Sequence, residues 1–198
     1  GIRNPVSRAL CFFGLEPVNF VTGAMNFCWD DFELLGDHTI RWTSAWQSDI
    51  SYCGILGNGV LCNYDLFIIP QFVDGVAAYN NPLENQVFPI PIVEVEYYRP
   101  LHLWQHRPDA RTWIVRTVSA TYTYRAFPDR EYGLVYRAVR IAYAAGGFIV
   151  LDYDRDTHLL STLSDHVGRL LVFGQDTERG LILSATYKYE DISDLLVV

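Results

Sequence analysis

Apolar and polar residues alternate with a period of two along much of the chain, which is the pattern of half-buried β-strands. Residues 117–125 and 181–189 alternate without interruption, and residues 40–46, 61–67 and 113–118 are rich in β-branched and aromatic residues. The predicted apolar faces are Val118, Ala120, Tyr122 and Tyr124 in the first segment and Leu181, Leu183, Ala185, Tyr187 and Tyr189 in the second. We therefore predict an all-β fold in which helices are rare.

Turn-forming residues separate these predicted strands at residues 35–37, 57–59, 73–75 and 145–147. Glycine, asparagine and aspartate tolerate the positive φ angles that tight turns require. Residues 134–145 are ambiguous, because their apolar positions fit one stripe of a helix as well as a strand.

The last third of the chain repeats itself with an offset of 22 residues. Gly146 aligns with Gly168, and Asp154 aligns with Asp176. About 22 residues hold two strands and two short turns, so each unit is predicted to be one β-hairpin. A lone hairpin is marginally stable in water, so successive units are expected to stack into a continuing sheet. The repeat places residues 139–143 in a strand and so favours strand for the ambiguous segment.

The middle of the chain has a different composition, since residues 80–108 carry five of the nine prolines. Proline lacks an amide hydrogen and avoids central strands, which predicts edge strands and loops here. The same stretch is rich in apolar residues that need burial, so it is not a flexible linker. We predict three sections: a first β segment over 1–79, a proline-rich β and loop section over 80–130, and hairpin repeats over 131–198.

Composition and charge exclude several classes of protein. The formal net charge of −8 makes nucleic acid an unfavourable partner. No apolar run reaches the roughly 18 residues of a membrane span, and the N-terminus lacks the features of a secretory signal peptide. The four cysteines include no Cys-x-x-Cys pair, which predicts buried, reduced thiols rather than zinc ligands.

Residues with catalytic or metal-binding chemistry form no coherent set in the sequence. The five histidines lie in separate segments: His38, His102, His106, His158 and His166. Asp154 and its neighbouring aspartates resemble a calcium-binding pattern, but its place in a repeat turn favours a turn-forming role. Serine-nucleophile and phosphate-loop motifs are absent. We therefore predict no catalytic residue, no metal site and no cofactor, and we expect the chain not to be an enzyme.

Two motifs in the last third resemble the tyrosine–aspartate (YD) repeat of the Rhs polymorphic toxins. Tyr153 and Asp154 match the Tyr-Asp turn of that repeat, and Asp165, Gly168 and Arg169 match its Asp-x-x-Gly-Arg motif. The sequence departs from the repeat at residues 156–158, which lack the glycine usual after the Tyr-Asp turn.

Upstream motifs resemble the segment that precedes the repeats in the same family. Its Pro-Val-x-x-x-Thr-Gly entry, its Asp-Phe-x-Leu-x-Gly motif, its arginine and aromatic positions and its glycine-rich turn have counterparts here. The matching residues are Pro17, Val18, Thr22, Gly23, Asp31, Phe32, Gly36, Arg41, Trp46, Gly57 and Gly59. A departure is Val60, which stands where the family usually has tryptophan.

The resemblance implies a coiled antiparallel sheet of YD-type β-hairpins that forms part of a hollow shell, or cocoon. The chain is then the N-terminal part of the Rhs shell, a structural module that helps to enclose a C-terminal toxin. The implied partners are the remainder of the shell, the enclosed toxin, and the spike proteins and chaperone of a type VI secretion apparatus. The implied location is the bacterial cytoplasm, followed by secretion without a signal peptide.

A binding module is the alternative that the residues leave open. An independent β-sandwich that binds carbohydrate would use exposed members of the five tryptophans to stack sugars, although tryptophan is usually buried. The apolar residues 195–198, with no closing turn, favour the shell, because they predict pairing with a further strand.

Overall fold

The computed structural model describes residues 25–36, 38–48, 53–73, 76–80, 88–89, 97–99, 102–107, 111–129, 133–189 and 192–196. Within these ranges the chain forms strands, turns and bends, and none of it is helical. No helix that could cross a membrane is therefore present in this part of the chain. The strand pairs are antiparallel, so the predicted all-β, antiparallel fold is confirmed.

The first strands form a small sheet, which we call the N-terminal sheet. Strands β1 (Asn26–Leu34), β2 (Ile40–Gln47) and β5 (Val60–Cys62) pair in the order β1-β2-β5. A short hairpin of β3 (Cys53–Gly54) and β4 (Gly57–Asn58) lies between β2 and β5 in the chain.

The strand predicted over residues 61–67 is interrupted. β5 ends at Cys62, and Asn63 makes the last contacts with β2. Its amide donates to the Thr43 carbonyl at 3.2 Å, its Nδ2 donates to the Arg41 carbonyl at 2.7 Å, and its Oδ1 accepts from the Thr43 amide at 3.1 Å. The chain turns at this point, as asparagine favours, and the next strand begins at Phe67.

The remaining strands form a 13-stranded sheet, which we call the main sheet. Its strands are β6 (Phe67–Val73), β7 (Val76–Asn80), β8 (Phe88–Pro89), β9 (Tyr97–Arg99), β10 (His102–Arg107), β11 (Thr112–Arg116), β12 (Ala120–Asp129), β13 (Gly133–Tyr143), β14 (Phe148–Tyr153), β15 (Leu160–Asp165), β16 (Leu170–Asp176), β17 (Leu181–Tyr189) and β18 (Ile192–Leu196). From β9 to β18 the order in the sheet follows the order in the chain. The ambiguous segment is strand β13, and it pairs with β6 and β14 along the same edge.

One face of the main sheet packs against the N-terminal sheet, and Trp42 lies at the centre of the contact. Trp42 is fully buried, and its ring centroid lies 5.1 Å from that of Phe173 on β16. Tyr64 and Phe32 flank it at 5.5 and 5.9 Å. Truncating a buried aromatic of this size typically costs about 3–5 kcal/mol, so Trp42 is expected to stabilise the chain strongly.

The predicted offset of 22 residues recurs as equivalent turns in two consecutive hairpins, β14–β15 and β16–β17. Asp154 Oδ1 accepts hydrogen bonds from the amides of Asp156 and Thr157 at 2.9 and 2.8 Å. Asp176 Oδ1 accepts from the amides two and three residues further along in the same way, both at 3.1 Å. The turn-forming role predicted for Asp154 is therefore confirmed.

The strands of these two hairpins also share a β-bulge and the hydrogen bond that follows it. The ladders shift register between Asp152 and Tyr153 and, 22 residues later, between Gly174 and Gln175. After each shift, one side chain reaches a carbonyl of the preceding strand. Tyr153 Oη donates to Ala138 O and Gln175 Nε2 donates to Leu160 O, each at 2.8 Å. The repeat is therefore structural as well as sequential.

The glycine missing after the Tyr-Asp turn has a visible counterpart in backbone geometry. His158 adopts a φ of 59°, and Gly180 adopts a φ of 73° at the equivalent place in the next hairpin. Each amide closes its turn by donating to the carbonyl of the turn aspartate, at 3.0 and 2.8 Å. A histidine thus holds a conformation that glycine adopts without strain. Its ring packs edge-on against Phe127, with centroids 5.8 Å apart.

Two details of the predicted strand faces are wrong. In β17 the bulge inserts Leu183, which is 58% exposed, and the core position falls to Ile182. One extra residue moves every following side chain relative to the sheet face, which period-two reasoning cannot foresee. Residues 117–119 form a hairpin turn rather than strand, because Thr117 bonds both the amide and the carbonyl of Ala120 and leaves Val118 exposed.

The proline-rich middle is described only in part. β8, β9 and β10 lie within it, and β9 stands at one end of the chain-ordered path through the main sheet. The other residues of 80–108 lie outside the described ranges, and the three-section division of the chain stays a prediction.

We predict that Gly180→Ala destabilises the chain by about 1 kcal/mol, because a left-handed φ is costly for residues with a Cβ. The added Cβ would lie 3.9 Å from Leu159, which is an ordinary contact. The loss of stability therefore reports the cost of the left-handed backbone conformation rather than a steric collision. Urea unfolding measures it, with exposed Leu183→Ala as the near-neutral control. Equal stability of Gly180→Ala and the control would contradict the assigned turn.

Candidate functional site

The turn between β15 and β16 holds a buried ion pair that unites three residues of the Asp-x-x-Gly-Arg motif. Asp165 Oδ1 accepts from the amides of Val167 and Arg169 at 3.1 and 2.9 Å, and Gly168 supplies a φ of 90°. Asp165 Oδ2 lies 2.7 Å from Nε and 2.6 Å from Nη2 of Arg169. The two side chains are 1% and 6% exposed, so this pair lies inside the protein.

Arg169 also binds the loop between β1 and β2, far away in the sequence. Its Nη1 donates to the carbonyls of Leu34 and Leu35 at 2.9 and 2.8 Å, and its Nη2 donates to the carbonyl of His38. Together with the bonds to Asp165, these contacts match the five N–H donors of a guanidinium. We call Asp165, Arg169 and these three carbonyls the Arg169 cluster.

The cluster explains why its residues have these types. A buried charge is tolerated only when it is paired and its remaining donors are satisfied, and here both conditions are met. Lysine would carry the same charge but offers no planar fork that can reach a carboxylate and several carbonyls at once. The cluster therefore fixes the loop of the N-terminal sheet against the turn of the main sheet.

Two glycines let the backbone approach this region closely. A Cβ on Gly36 would lie 2.8 Å from Arg169 Nη1, so a side chain there would displace the guanidinium. Gly147 has a φ of 75°, and a Cβ on it would collide with the ring of His38 and lie 2.7 Å from Cε1 of His166. Gly36 belongs to the predicted Asp-Phe-x-Leu-x-Gly motif, whereas sequence reasoning assigned Gly147 only to a turn.

Two histidines from separate segments of the sequence, His38 and His166, meet in the fold. Their ring centroids are 5.2 Å apart, edge to face, and His38 stacks on Tyr143 at 5.4 Å. His166 also contacts Phe148 at 6.0 Å. Among the described residues, no group of three histidine, cysteine or acidic side chains could hold a metal ion. The rings pack where the two sheets meet, and no sequence signal links them.

Residues of the upstream motifs lie in the N-terminal sheet. Asp31 is at a bulge of β1, where its carboxylate accepts from Trp29 Nε1 at 2.7 Å and from Ser44 Oγ. Phe32 packs on the central tryptophan of the core. Arg41 is exposed and pairs with Glu33 at 2.6 Å, and this contact raises the pKa of Arg41.

The glycine-rich turn and the aromatic position have structural roles of their own. Gly57 and Gly59 adopt φ angles of 108° and 74°. Their hairpin presents Ile55, whose carbonyl accepts from the Ile182 amide of β17 at 2.7 Å, so it forms a second link to the main sheet. Trp46 is partly buried, with its ring 5.7 Å from Phe27. The entry-motif residues lie outside the described ranges: Pro17, Val18, Thr22 and Gly23.

The surroundings of the Tyr-Asp turn stabilise neutral Tyr153 and ionised Asp154. Burial raises the pKa of Tyr153 well above its ordinary value, which keeps the hydroxyl protonated as the donor to Ala138. Hydrogen bonds from Thr157 lower the pKa of Asp154, so its carboxylate stays charged as an acceptor. Both groups are held in the form that the turn requires.

The cysteines and tryptophans divide between core and surface. Cys62 is buried, which raises its pKa, but Cys28 is exposed, so the prediction of buried thiols is wrong for Cys28. Side chains of the other two cysteines lie outside the described part. Trp42 and Trp113 are buried as expected, whereas Trp29 is 41% exposed.

Comparison with known proteins gives one result for the N-terminal half. A family model described as a domain of unknown function (DUF6531) matches residues 15–82. The match includes the N-terminal sheet and its predicted motifs, and it leaves residues 83–198 uncovered. No curated protein matches the chain.

We predict that Arg169→Ala destabilises the chain by about 3–5 kcal/mol, because it leaves Asp165 and three carbonyls without their partner. Arg179→Ala is the matched control. Arg179 also pairs with an aspartate, at 3.8 Å, but is 78% exposed, so its loss should cost below about 1 kcal/mol. Chemical denaturation measures both; similar small losses would refute the structural role of the cluster.

We predict that Gly36→Ala costs about 1–3 kcal/mol in the native background, through overpacking against the guanidinium. The same change should cost almost nothing in the Arg169→Ala background, where the colliding atom is gone. A double-mutant cycle by urea unfolding measures this coupling. Equal losses in both backgrounds would place the effect of Gly36 elsewhere.

Proposed function

We propose that the chain is a wall section of an Rhs-type shell, which encloses a C-terminal toxin in a secreted bacterial protein. In this role it acts by shape and carries out no catalysis itself. Its partners are the following shell repeats and the enclosed toxin, with spike proteins and a chaperone of the type VI apparatus engaged during delivery. The protein is made in the bacterial cytoplasm and leaves it without a signal peptide.

The observation that carries this proposal is the hairpin repeat. β14–β15 and β16–β17 share their aspartate turn, bulge and cross-strand bond at an offset of 22 residues. A unit of this kind adds neighbours of the same geometry, and the chain order from β9 to β18 is what stepwise addition produces. A coiled, closed sheet of such units would hide strand edges that otherwise aggregate.

The Arg169 cluster adds support from the other end of the chain. It joins the Asp-x-x-Gly-Arg motif to the carbonyls of Leu34 and Leu35, which lie within the Asp-Phe-x-Leu-x-Gly motif. Both motifs are part of the resemblance to Rhs proteins. Their contact in the fold would explain why the two motifs occur together.

An independent carbohydrate-binding module is a second candidate, which the exposure of Trp29 favours. Its indole is 41% exposed on β1, as a sugar-stacking ring would be. Against this role, the indole nitrogen already donates to Asp31 at 2.7 Å, and Trp42 and Trp113 are buried.

The test begins with the gene downstream of codon 198, which should encode further hairpins of about 22 residues and then an unrelated C-terminal region. In the purified full-length product, that region should resist limited proteolysis until the shell is denatured. A gene that ends at Val198, or a C-terminal region cut as fast as an unfolded control, would contradict the proposal. Glycan binding lost in Trp29→Ala would favour the second candidate.

A further inference from the structure

We infer that the face of the main sheet opposite the N-terminal sheet is a docking surface for a carboxylate-rich polypeptide. The inference goes beyond the proposed shell and does not depend on it, because it rests only on the exposed cations of this face.

Strand register defines the face. Ile141 pairs with Ile149, and both belong to the core beneath the N-terminal sheet. Their neighbours Arg140 and Val150 pair with each other and so point the opposite way. Successive register pairs extend this line across seven strands, through Ile114, Thr123, Arg140, Val150, Ser164, Leu170 and Lys188.

Four exposed cations lie on this face, which we call the cationic face: Arg116, Arg125, Arg140 and Lys188. Arg125 and Arg116 stand two residues from Thr123 and Ile114 along their strands, and alternation therefore places them on the same side. Arg116 and Arg125 lie on either side of the Ile114–Thr123 pair, and Arg140 follows Thr123 on the next strand. The three arginines on β11, β12 and β13 therefore surround one region of the face. The patch is notable in a chain whose net charge is −8.

Aromatic rings hold two of these arginines in place. Arg140 Cζ lies 4.2 Å from the centroid of Phe148, and Arg125 Cζ lies 5.3 Å from that of Phe127. A guanidinium that rests on a ring keeps its donor edge available and loses less freedom on binding. Within the described part of the chain, no acidic side chain forms an ion pair with either, whereas the neighbouring Arg137 pairs with Asp129 at 3.6 Å.

The chemistry between the cations selects the kind of partner. Half-buried aliphatic and hydroxyl side chains, such as Val150 and Thr123, separate the arginines, and one exposed carboxylate, Asp152, lies two residues beyond Val150 on the same side. Guanidinium groups bind carboxylates through paired hydrogen bonds, and the aliphatic positions suit the side chains of an extended peptide. Single-stranded nucleic acid would need aromatic rings open for stacking, but Phe127 is 7% exposed and Phe148 is covered by Arg140.

The experiment uses the purified chain and fluorescent poly-L-glutamate, with binding followed by anisotropy at low salt. The variant Arg116→Gln, Arg125→Gln, Arg140→Gln should weaken binding by about tenfold or more. The matched control carries Arg41→Gln, Arg155→Gln and Arg179→Gln, three exposed arginines away from the cationic face, and should bind as the parent does. Thermal unfolding checks that all three proteins fold alike.

Charge reversal at the same three positions should exchange the preference from poly-L-glutamate to poly-L-lysine, which a non-specific loss of structure would not do. Absence of poly-L-glutamate binding, or equal weakening in variant and control, would overturn the inference. Single-stranded DNA bound as tightly as poly-L-glutamate, through the same arginines, would also overturn it in favour of a nucleic-acid surface.

Discussion

A buried arginine must have a counter-ion and a partner for each of its donors, and this requirement organises the contact between the two sheets. Asp165 supplies the charge from the same turn, and the carbonyls of Leu34, Leu35 and His38 supply the remaining acceptors. Those carbonyls converge only if the β1–β2 loop lies directly over the β15–β16 turn. The Arg169 cluster therefore fixes where the β1–β2 loop sits on the β15–β16 turn. Apolar burial alone is less directional and would allow the two sheets to shift against each other.

Apolar contacts and a backbone bond complete the attachment. Trp42 packs against Phe173 between the sheets. The Ile55 carbonyl, in the β3–β4 hairpin, accepts a hydrogen bond from the Ile182 amide of β17. The β17 bulge leaves Leu183 exposed and Ile182 buried in the core between the sheets. Irregularities in the repeat thus serve the docking of the N-terminal sheet.

Sequence pattern predicts the regular parts of this structure well. Alternation and turn residues foretell most strands, and the 22-residue offset resolves β13 as a strand and aligns the two aspartate turns. Bulges escape such reasoning, because one inserted residue has no compositional signature. The resemblance identifies Asp165, Gly168 and Arg169 as motif residues. It does not predict which residues they contact.

These contacts cannot be predicted because every residue has a backbone carbonyl that can accept a hydrogen bond. The residue types of Leu34, Leu35 and His38 therefore do not identify them as partners of Arg169. Contacts between distant segments have the same problem. His38 and His166 meet because two loops converge, and nothing in the sequence around either histidine indicates that contact. Gly36 is the residue type that best indicates the contact, because a side chain at this position would collide with the Arg169 guanidinium.

Hydrogen–deuterium exchange of Arg169→Ala tests most directly whether this one side chain fixes the N-terminal sheet to the main sheet. The comparison is with the parent chain and with Arg179→Ala under native conditions. If Arg169 fixes the contact, exchange becomes faster through β1, β2 and the loop between them, together with the β15–β16 turn, while β12 and β13 keep their protection. Faster exchange confined to residues 165–169, with β1 and β2 unchanged, would contradict it.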